Sequence, residues 1–313
     1  MDKNQERKVV EMVFGNRSGM TILESERPDF ICEVSQEIKF GIEVTDFFLS
    51  ESVARLRRIP NYAAELLTTK VYRHKDDRNR IRIGKVSYSN HQTGEEREFE
   101  ALIGEKRTIN DVVHRIKSSI EAKTAKSAGY SIATVDLIVR DVDSLAEFNE
   151  LEELMRVINL TGAENSILKS KFREIYLLTT TNGSWVCVPL RANLFVAEVM
   201  KFQTLFKEYH DRAKRKTFSF AHYFTELARH LTWRVGAIEF YMTEESLPRL
   251  VFGSVAVGYG VNQKVEVVDI STKGILEREI VELNDNGDIE LQEFVSSEIE
   301  SMFGCTPILF AAH

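Results

Sequence analysis

The sequence RPDFICEV at residues 27–34, followed by FGIEVT at residues 40–45, is the most informative part of this chain. Apolar and β-branched residues alternate with other residues in both stretches, which predicts two neighbouring strands. Because side chains alternate between the faces of a strand, Asp29 and Glu43 are each presented beside residues that favour burial. Such carboxylates need a compensating cation, for example Mg²⁺, or hydrogen bonds. The alternative is an ordinary hairpin with two solvated acids.

A long amphipathic helix is predicted over residues 108–126. Thr108 and Asp111 form a capping box at its start, and apolar residues recur at helical spacing through Ile116. Lys123 continues the apolar stripe, and a lysine on a buried face needs an acidic partner or an anionic ligand. The alternative is a lysine that extends to solvent from a frayed last turn.

A shorter helix is predicted over residues 5–14, before the two strands. Glu11 lies outside its apolar arc, a position that suits a polar cleft or plain solvent. Glu6 projects nearer the centre of that arc and is the competing acidic residue. A further buried strand is predicted over residues 131–141.

These elements and motifs resemble the PD-(D/E)XK nuclease superfamily. The resemblance is carried by Pro28-Asp29, by Glu43-Val44-Thr45, and by the order of elements across residues 5–141. It implies an α/β fold with a mixed sheet, namely a restriction-endonuclease-like αβββαβ core, here with a basic insertion and a C-terminal α+β region.

The resemblance also implies a Mg²⁺-dependent (or Mn²⁺-dependent) endonuclease that hydrolyses phosphodiester bonds of nucleic acid, with DNA as the expected substrate. Asp29, Glu43 and the backbone carbonyl of Val44 would be the metal ligands, and Glu11 is chosen as the acidic residue of the first helix. Stand-alone nucleases of this kind occur in restriction and anti-phage defence.

Thr45 stands where the family places its lysine. A threonine cannot supply positive charge, so either the lysine comes from elsewhere or catalysis is impaired. The resemblance implies that Lys123, or failing that Lys126, supplies the charge from the second helix.

A distinctly basic segment follows the two strands. Residues 52–85 contain ten Lys and Arg against three Asp and Glu, within a chain of net charge −7. Positive charge beside an acidic metal site is typical of proteins that bind phosphate backbones, whereas a solvated insertion is the alternative. A hairpin or flap is predicted over residues 70–94. The predicted nucleic-acid contacts are Arg55, Arg57, Arg58, Arg73, Lys75, Arg78 and Arg80.

The chain is predicted to form two domains. Residues 1–213 form the nuclease-like domain, with its insertion at about residues 50–106, and residues 214–313 form an acidic α+β domain. An acidic surface repels nucleic acid, so this second domain is expected to bind a protein partner, form a homodimer or shield the basic cleft. No apolar run reaches membrane-spanning length, the N-terminus does not read as a signal peptide, and the three cysteines lack paired spacing. These observations predict a cytoplasmic protein without a membrane partner.

Two other functions stay open from the sequence. The first is a catalytically silent nuclease fold that binds nucleic acid, as the loss of lysine at Thr45 would permit. The second is a protein-interaction subunit that acts through its acidic C-terminal region.

Overall fold

The computed structural model describes residues 2–302 except 16–18, 37, 49, 90–93, 105–107, 143–150, 182–183, 214–218, 237, 260–264, 271–277, 282–286 and 300–301. The chain divides into two compact units. The inserted unit is Phe48–Arg115, and the sheet unit is Met1–Phe47 together with Ile116–His313. The basic insertion predicted at about residues 50–106 falls in the inserted unit. Residues 214–313 belong to the sheet unit, and the start of this segment, at residues 214–218, lies outside the described residues.

The described part of the chain contains both helices and strands in each unit. The helices are α1 (Lys3–Phe14), α2 (Glu51–Arg58), α3 (Tyr62–Thr69), α4 (Asp77–Arg80), α5 (Ile109–Lys126), α6 (Leu151–Leu160), α7 (Ala163–Leu168), α8 (Leu190–Arg212), α9 (Phe220–Val235) and α10 (Ile289–Ile299). The strands are β1 (Thr21–Glu24), β2 (Phe30–Glu33), β3 (Lys39–Phe47), β4 (Ile81–Ser89), β5 (Glu96–Gly104), β6 (Val135–Asp141), β7 (Ile175–Thr181), β8 (Ser184–Pro189), β9 (Glu239–Met242), β10 (Pro248–Phe252), β11 (Val255–Tyr259), β12 (Val265–Asp269) and β13 (Glu279–Ile280). Among the helices described, none has both the length and the apolar character of a membrane span.

A mixed six-stranded sheet lies at the centre of the sheet unit, in the strand order β1-β2-β3-β6-β7-β8. The first three strands form an antiparallel meander. β6 is parallel to β3, β7 is parallel to β6, and β8 returns antiparallel to β7. The fold is therefore mixed α/β with a mixed sheet, as the sequence predicted at this level.

Residues 27–34 and 40–45 form β2 and most of β3. They pair in the register that places Phe30 opposite Ile42, and both side chains are fully buried. Helix α1 packs its buried face, which includes Val9, Val10 and Phe14, into the same core cluster as these strands. Apolar burial of this kind stabilises the fold by about 2 kcal/mol per large side chain. This packing holds α1 against β2, the strand that begins directly after Asp29.

Helix α5 begins as its capping box predicts. The backbone N–H of Thr108 donates to the carboxylate of Asp111 at 2.9 Å, and the N–H of Asp111 donates to Oγ1 of Thr108. Ile116 and Ile120 are buried along the predicted stripe, and the helix ends at Lys126 in a short 3₁₀ turn. Lys123 therefore lies in the last turn of α5, where it is half-buried.

A second sheet, with the strand order β12-β11-β10-β9-β13, follows helices α8 and α9 in the sheet unit. It is tied to the first sheet through the buried carboxylate of Glu174. This carboxylate accepts hydrogen bonds from the backbone N–H groups of Ile175, Arg191 and Ala192 and from the hydroxyl of Ser254. Burial raises the pKa of Glu174 to about 7, although the hydrogen bonds from these donors act to lower it. The hydrogen bond from Ser254 is thus one contact between the second sheet and the start of β7, and both sheets belong to the same compact unit.

A buried ionic cluster connects α8 with α9. The carboxylate of Glu198 lies 3.0 Å from Nζ of Lys201, 2.9 Å from Nε of Arg234 and 3.4 Å from Nε2 of His230. Burial alone would raise the pKa of Glu198, but the adjacent His230, Lys201 and Arg234 outweigh it and lower the pKa to about 2. The carboxylate is therefore ionised and contributes to stability at neutral pH.

The inserted unit has its own small core, formed by Tyr62, Leu66 and Ile81. The fully buried carboxylate of Asp77 lies beside this core and accepts hydrogen bonds from the Arg55 guanidinium at 2.6 Å and from the Tyr62 hydroxyl at 2.7 Å. Two long strands, β4 and β5, form a separate antiparallel ribbon. The hairpin predicted over residues 70–94 thus lies later in the sequence, over residues 81–104, because the glutamate-rich β5 pairs with β4.

Candidate functional site

Asp29 lies at the entrance of β2 and is held against β3. Its Oδ2 atom accepts a hydrogen bond from the backbone N–H of Val44 at 2.9 Å. Gly41 permits this arrangement, because a Cβ atom at that position would lie 2.3 Å from Cγ of Pro28. The absence of a side chain at Gly41 thus lets the Pro28-Asp29 turn lie close to the neighbouring strand.

Glu43 is the second carboxylate of the site, and Lys123 reaches it from α5. The Nζ atom of Lys123 lies 2.5 Å from Oε1 of Glu43 and 3.3 Å from the carbonyl oxygen of Val44. Glu43 is only 8% exposed, so its charge requires such a partner. The structure therefore brings together four of the predicted site residues, namely Asp29, Glu43, Val44 and Lys123. Lys126 lies exposed at the end of the same helix.

The first turn of α1 contributes a second lysine and a third carboxylate. Nζ of Lys3 lies 3.1 Å from Oδ1 of Asp29 and 3.2 Å from Oε2 of Glu6, and it stands over the ring of Phe30. Burial, and then the charge of Asp29, raise the pKa of Glu6. The raised pKa is typical of carboxylates that share one site.

The structure places Glu11, the acidic residue chosen from the sequence in α1, on the exposed side of the helix. The side chain of Glu11 is 50% exposed and lies 4.0 Å from Arg7 on the outer face of the helix. Glu6 lies nearly a turn and a half earlier, where α1 passes Asp29. The sequence named Glu6 as the competitor, but it gave no sign of Lys3, whose role depends on where the helix start meets the sheet.

Tyr130 completes the site from the loop after α5. Burial raises the pKa of its hydroxyl, and the nearby charges of Glu43 and Asp29 raise it further. The phenol is therefore neutral at physiological pH, and its buried hydroxyl has no hydrogen-bond partner among the described residues. Sequence reasoning assigned Tyr130 no role, because its place beside the two carboxylates depends on the path of the chain after α5.

The oxygen atoms of this site match the ligand preference of Mg²⁺. Two carboxylates, Asp29 and Glu43, and the carbonyl of Val44 are hard donors, and Mg²⁺ commonly keeps several waters beside one or two protein carboxylates. Within the described residues, no group of three or more His, Cys, Asp or Glu side chains stands ready to hold a metal ion. Lys123 instead contacts two of the three candidate ligand oxygens. The ammonium group thus stands where positive charge is needed.

The predicted nucleic-acid contacts of the inserted unit separate into two groups. Arg55 is committed to the buried Asp77, and Arg73 forms an ion pair with Glu65. Arg55 therefore has a structural role, because removing it would leave a buried carboxylate without its cation, and its contact with nucleic acid stays a prediction. The other predicted cations are exposed on the surface of the unit and comprise Arg57, Arg58, Lys75, Arg78 and Arg80.

The charge of the inserted unit stays positive although β5 adds glutamates. Residues 48–115 contain fourteen Lys and Arg against ten Asp and Glu, a net charge of +4 in a chain of net charge −7. Lys70 pairs with Glu100, and Lys85 lies 2.9 Å from Glu98. The excess positive charge is therefore concentrated in this unit and not in the rest of the chain.

Comparisons with protein-family models, with curated proteins and with solved structures found no match to this chain. The function of the site is therefore inferred from its own geometry.

Proposed function

We propose that this chain is a metal-dependent nuclease of the PD-(D/E)XK type that hydrolyses phosphodiester bonds, with DNA as the expected substrate. The observation that carries the proposal is the meeting of Asp29, Glu43 and Lys123 at one point of the sheet, although the lysine is 80 positions from the glutamate. The order α1-β1-β2-β3-α5-β6 supports a restriction-endonuclease-like αβββαβ core.

Each residue of the site has a role that its placement supports. Asp29, Glu43 and the carbonyl of Val44 would hold Mg²⁺, which when bound lowers the pKa of a coordinated water and neutralises charge on the phosphate. Lys123 offers an ammonium group for the attacking water or a phosphate oxygen, in place of the lysine missing at Thr45. Glu6 and Lys3 adjust the charge on Asp29 from the opposite side.

The inserted unit supports the same function through its charge. Its net charge of +4 favours contact with a phosphate backbone, whereas the rest of the chain is acidic. Exposed cations such as Lys75 and Arg78 are available for this contact.

One observation favours a second candidate, a catalytically silent fold that binds nucleic acid. Lys123 and Lys3 already place ammonium groups against Glu43 and Asp29, so the two carboxylates are compensated without a metal ion. In this alternative the ion pairs have replaced the metal, and Thr45 marks the lost lysine.

Cleavage assays separate the two candidates. Plasmid and single-stranded DNA are incubated with the full chain and Mg²⁺ or Mn²⁺, beside Glu43→Gln, Lys123→Ala and the exposed control Lys126→Ala. The nuclease proposal expects cleavage by the wild type and by Lys126→Ala, and its loss in the other two variants. If the wild type binds DNA but does not cleave it with Mg²⁺ or with Mn²⁺, the result would support the catalytically silent fold.

A further inference from the structure

The ribbon formed by β4 and β5 has one face that the core of the inserted unit does not cover. Its strands pair along nine residues each, from Ile81 opposite Gly104 to Ser89 opposite Glu96. On one face, Ile81, Ile83 and Leu102 pack against the small core of the unit. The opposite face, called here the aromatic face, is formed by Arg82, Gly84, Val86, Tyr88, Arg97, Phe99, Ala101 and Ile103.

The aromatic face exposes large apolar side chains to solvent. Tyr88 is 58% exposed, Phe99 is 53% exposed and Ile103 is 44% exposed. Gly84 lets Ile103 lie flat across the ribbon, because a Cβ atom there would be 2.6 Å from Cδ1 of Ile103. Tyr88 and Phe99 are diagonal neighbours in the register, a relation that keeps aromatic side chains within about 7–8 Å of each other. The result is a continuous apolar surface with two aromatic rings.

The charges of the ribbon are segregated between its two faces. Within the paired strands, the aromatic face carries two arginines, Arg82 and Arg97, and no carboxylate. The carboxylates of Glu96, Glu98 and Glu100 all lie on the other face. Arg97 also lies 3.1 Å from Glu95, which precedes the strand and is exposed.

This combination favours one kind of ligand over a second copy of the chain. A two-fold interface through the aromatic face would place its arginines together with only Glu95, beside Arg97, to offset them, at a cost from like-charge repulsion. Nucleic acid brings phosphates to the arginines. Unpaired bases additionally offer planar surfaces to exposed aromatic rings, which bases within a duplex do not.

We propose that the aromatic face binds single-stranded nucleic acid, with Tyr88 and Phe99 stacking on unpaired bases and Arg82 and Arg97 contacting phosphates. The inference rests on the proposed function, to which it adds the strand form of the substrate. The ribbon would thereby distinguish single strands from duplexes. The exposed cations of the unit cannot do so, because they contact phosphates that both forms carry.

Fluorescence anisotropy tests the proposal with the full chain in EDTA, so that metal-dependent cleavage does not interfere. The probes are labelled oligodeoxythymidylate, oligouridylate, a duplex of the same length, and an abasic oligonucleotide that keeps the phosphates but lacks the bases. The variants are Tyr88→Ala, Phe99→Ala and the conservative Tyr88→Trp. The matched control is Lys85→Ala combined with Glu98→Ala, which keeps the net charge and lies on the opposite face.

The proposal expects tighter binding to the thymidylate or uridylate than to the abasic probe. Tyr88→Ala and Phe99→Ala should each weaken binding to the single strand roughly tenfold, Tyr88→Trp should retain it, and the double control should change it little. Circular dichroism melting checks that the variants are folded. Duplex binding should be nearly the same in all variants.

Three results would overturn the inference. The first is equal binding of the abasic and base-containing probes, and the second is unchanged affinity in both alanine variants. The third is a dimer of the wild type that Phe99→Asp converts to a monomer, with no difference in single-strand affinity. Binding that depends on Tyr88 and Phe99, without any cleavage in Mg²⁺, would support this inference and refute the nuclease proposal. Cleavage without such binding would support the nuclease proposal and refute this inference.

Discussion

The ammonium group of Lys123 lies 2.5 Å from Oε1 of Glu43, a residue 80 positions earlier in the chain. The same group lies 3.3 Å from the carbonyl oxygen of Val44. A cation bound by these oxygens would therefore compete with Lys123, and the lysine would have to shift as the ion binds. Such a shift would release its ammonium group toward a water or a phosphate at the same site.

Replacement of Lys123 by methionine is expected to strengthen Mg²⁺ binding while abolishing cleavage. Removing a positive charge beside Glu43 lowers the electrostatic penalty for the ion, by an amount worth about tenfold in affinity. The rise of the melting temperature with Mg²⁺ concentration measures this effect without any activity assay. In EDTA the variant should be less stable by about 1–3 kcal/mol, since Glu43 loses its partner.

The control for this experiment is Lys126→Met on the same helix. Lys126 is exposed, so its replacement should leave both the melting temperature and its response to Mg²⁺ close to those of the wild type. Equal Mg²⁺ responses in the wild type and in Lys123→Met would argue against a metal site at Glu43.

Glu6 and Glu11 provide a matched pair on one helix. Glu6→Gln removes a charge that shares Lys3 with Asp29, so it should weaken the Mg²⁺ response several-fold and lower cleavage about tenfold. Glu11→Gln should change neither, because Glu11 faces solvent beside Arg7. Titration of cleavage against Mg²⁺ concentration for the two variants checks this expectation, and the opposite ranking would favour Glu11 as the acidic residue of the site.

Replacement of Arg55 should destabilise the inserted unit. Arg55→Met leaves the buried carboxylate of Asp77 without its cation, at a cost of about 3 kcal/mol. Arg58→Met on the same helix removes only a contact with the ring of Phe48 and should cost less than about 1 kcal/mol. Hydrogen exchange of peptides from residues 48–115 measures the stability of the unit in both variants. Tryptophan fluorescence would not report on this unit, because both tryptophans of the chain lie outside it. Equal protection in the two variants would show that Arg55 is not structural.

Exposed cations of the inserted unit should set the salt dependence of nucleic-acid binding. The double variant Lys75→Ala with Arg78→Ala should bind more weakly, and the slope of log K against log salt should fall by up to about 1.5. Lys70→Gln, whose lysine is already paired with Glu100, should have a smaller effect. Filter binding at several salt concentrations gives the slopes. An unchanged slope in the double variant would place the phosphate contacts elsewhere.

The buried Glu198 should make the protein sensitive to acid. Its pKa in the fold is about 2, below the ordinary value of 4.5, so its stabilising charge is fully present above about pH 5 and is lost as the pH falls toward 2. This loss corresponds to about 3 kcal/mol. Glu198→Gln should therefore be less stable at pH 7 and should lose less stability between pH 5 and pH 2 than the wild type.

Urea denaturation across this pH range measures the effect. Glu208→Gln is the control, because Glu208 lies on the same helix but forms an exposed pair with Arg212. Parallel pH profiles for the wild type and Glu198→Gln would contradict the assignment of the acid sensitivity to this cluster.

Local patterns in the sequence were sufficient for the elements that carry the site. The alternation at residues 27–34 and 40–45 predicted β2 and β3, and the capping box at Thr108 gave the start of α5. Lys123 could be predicted to need an acidic partner because it follows an apolar stripe. In each case the physical cause lies within a few residues of the chain.

Features that depend on distant contacts were not predictable in this way. Nothing near Lys3 indicates that the first turn of α1 meets Asp29, and nothing near Arg55 indicates that Asp77 is buried beside it. Strand β5 was missed because its glutamates make the segment EREFEALIG resemble a solvated loop. The aromatic face becomes visible only when the pairing of β5 with β4 is known.

The hydrogen bond from Ser254 to Glu174 limits what can be learned by shortening this protein. A chain that stopped near residue 213 would lose that donor, and the ring of Phe195 would lose its stacking partner Phe252. Loss of activity in such a fragment would not distinguish a missing function of the removed part from altered packing at the start of β7, which pairs with β6, the neighbour of the strand bearing Glu43. The contributions of the acidic C-terminal part are therefore separable only by single substitutions within the full-length polypeptide.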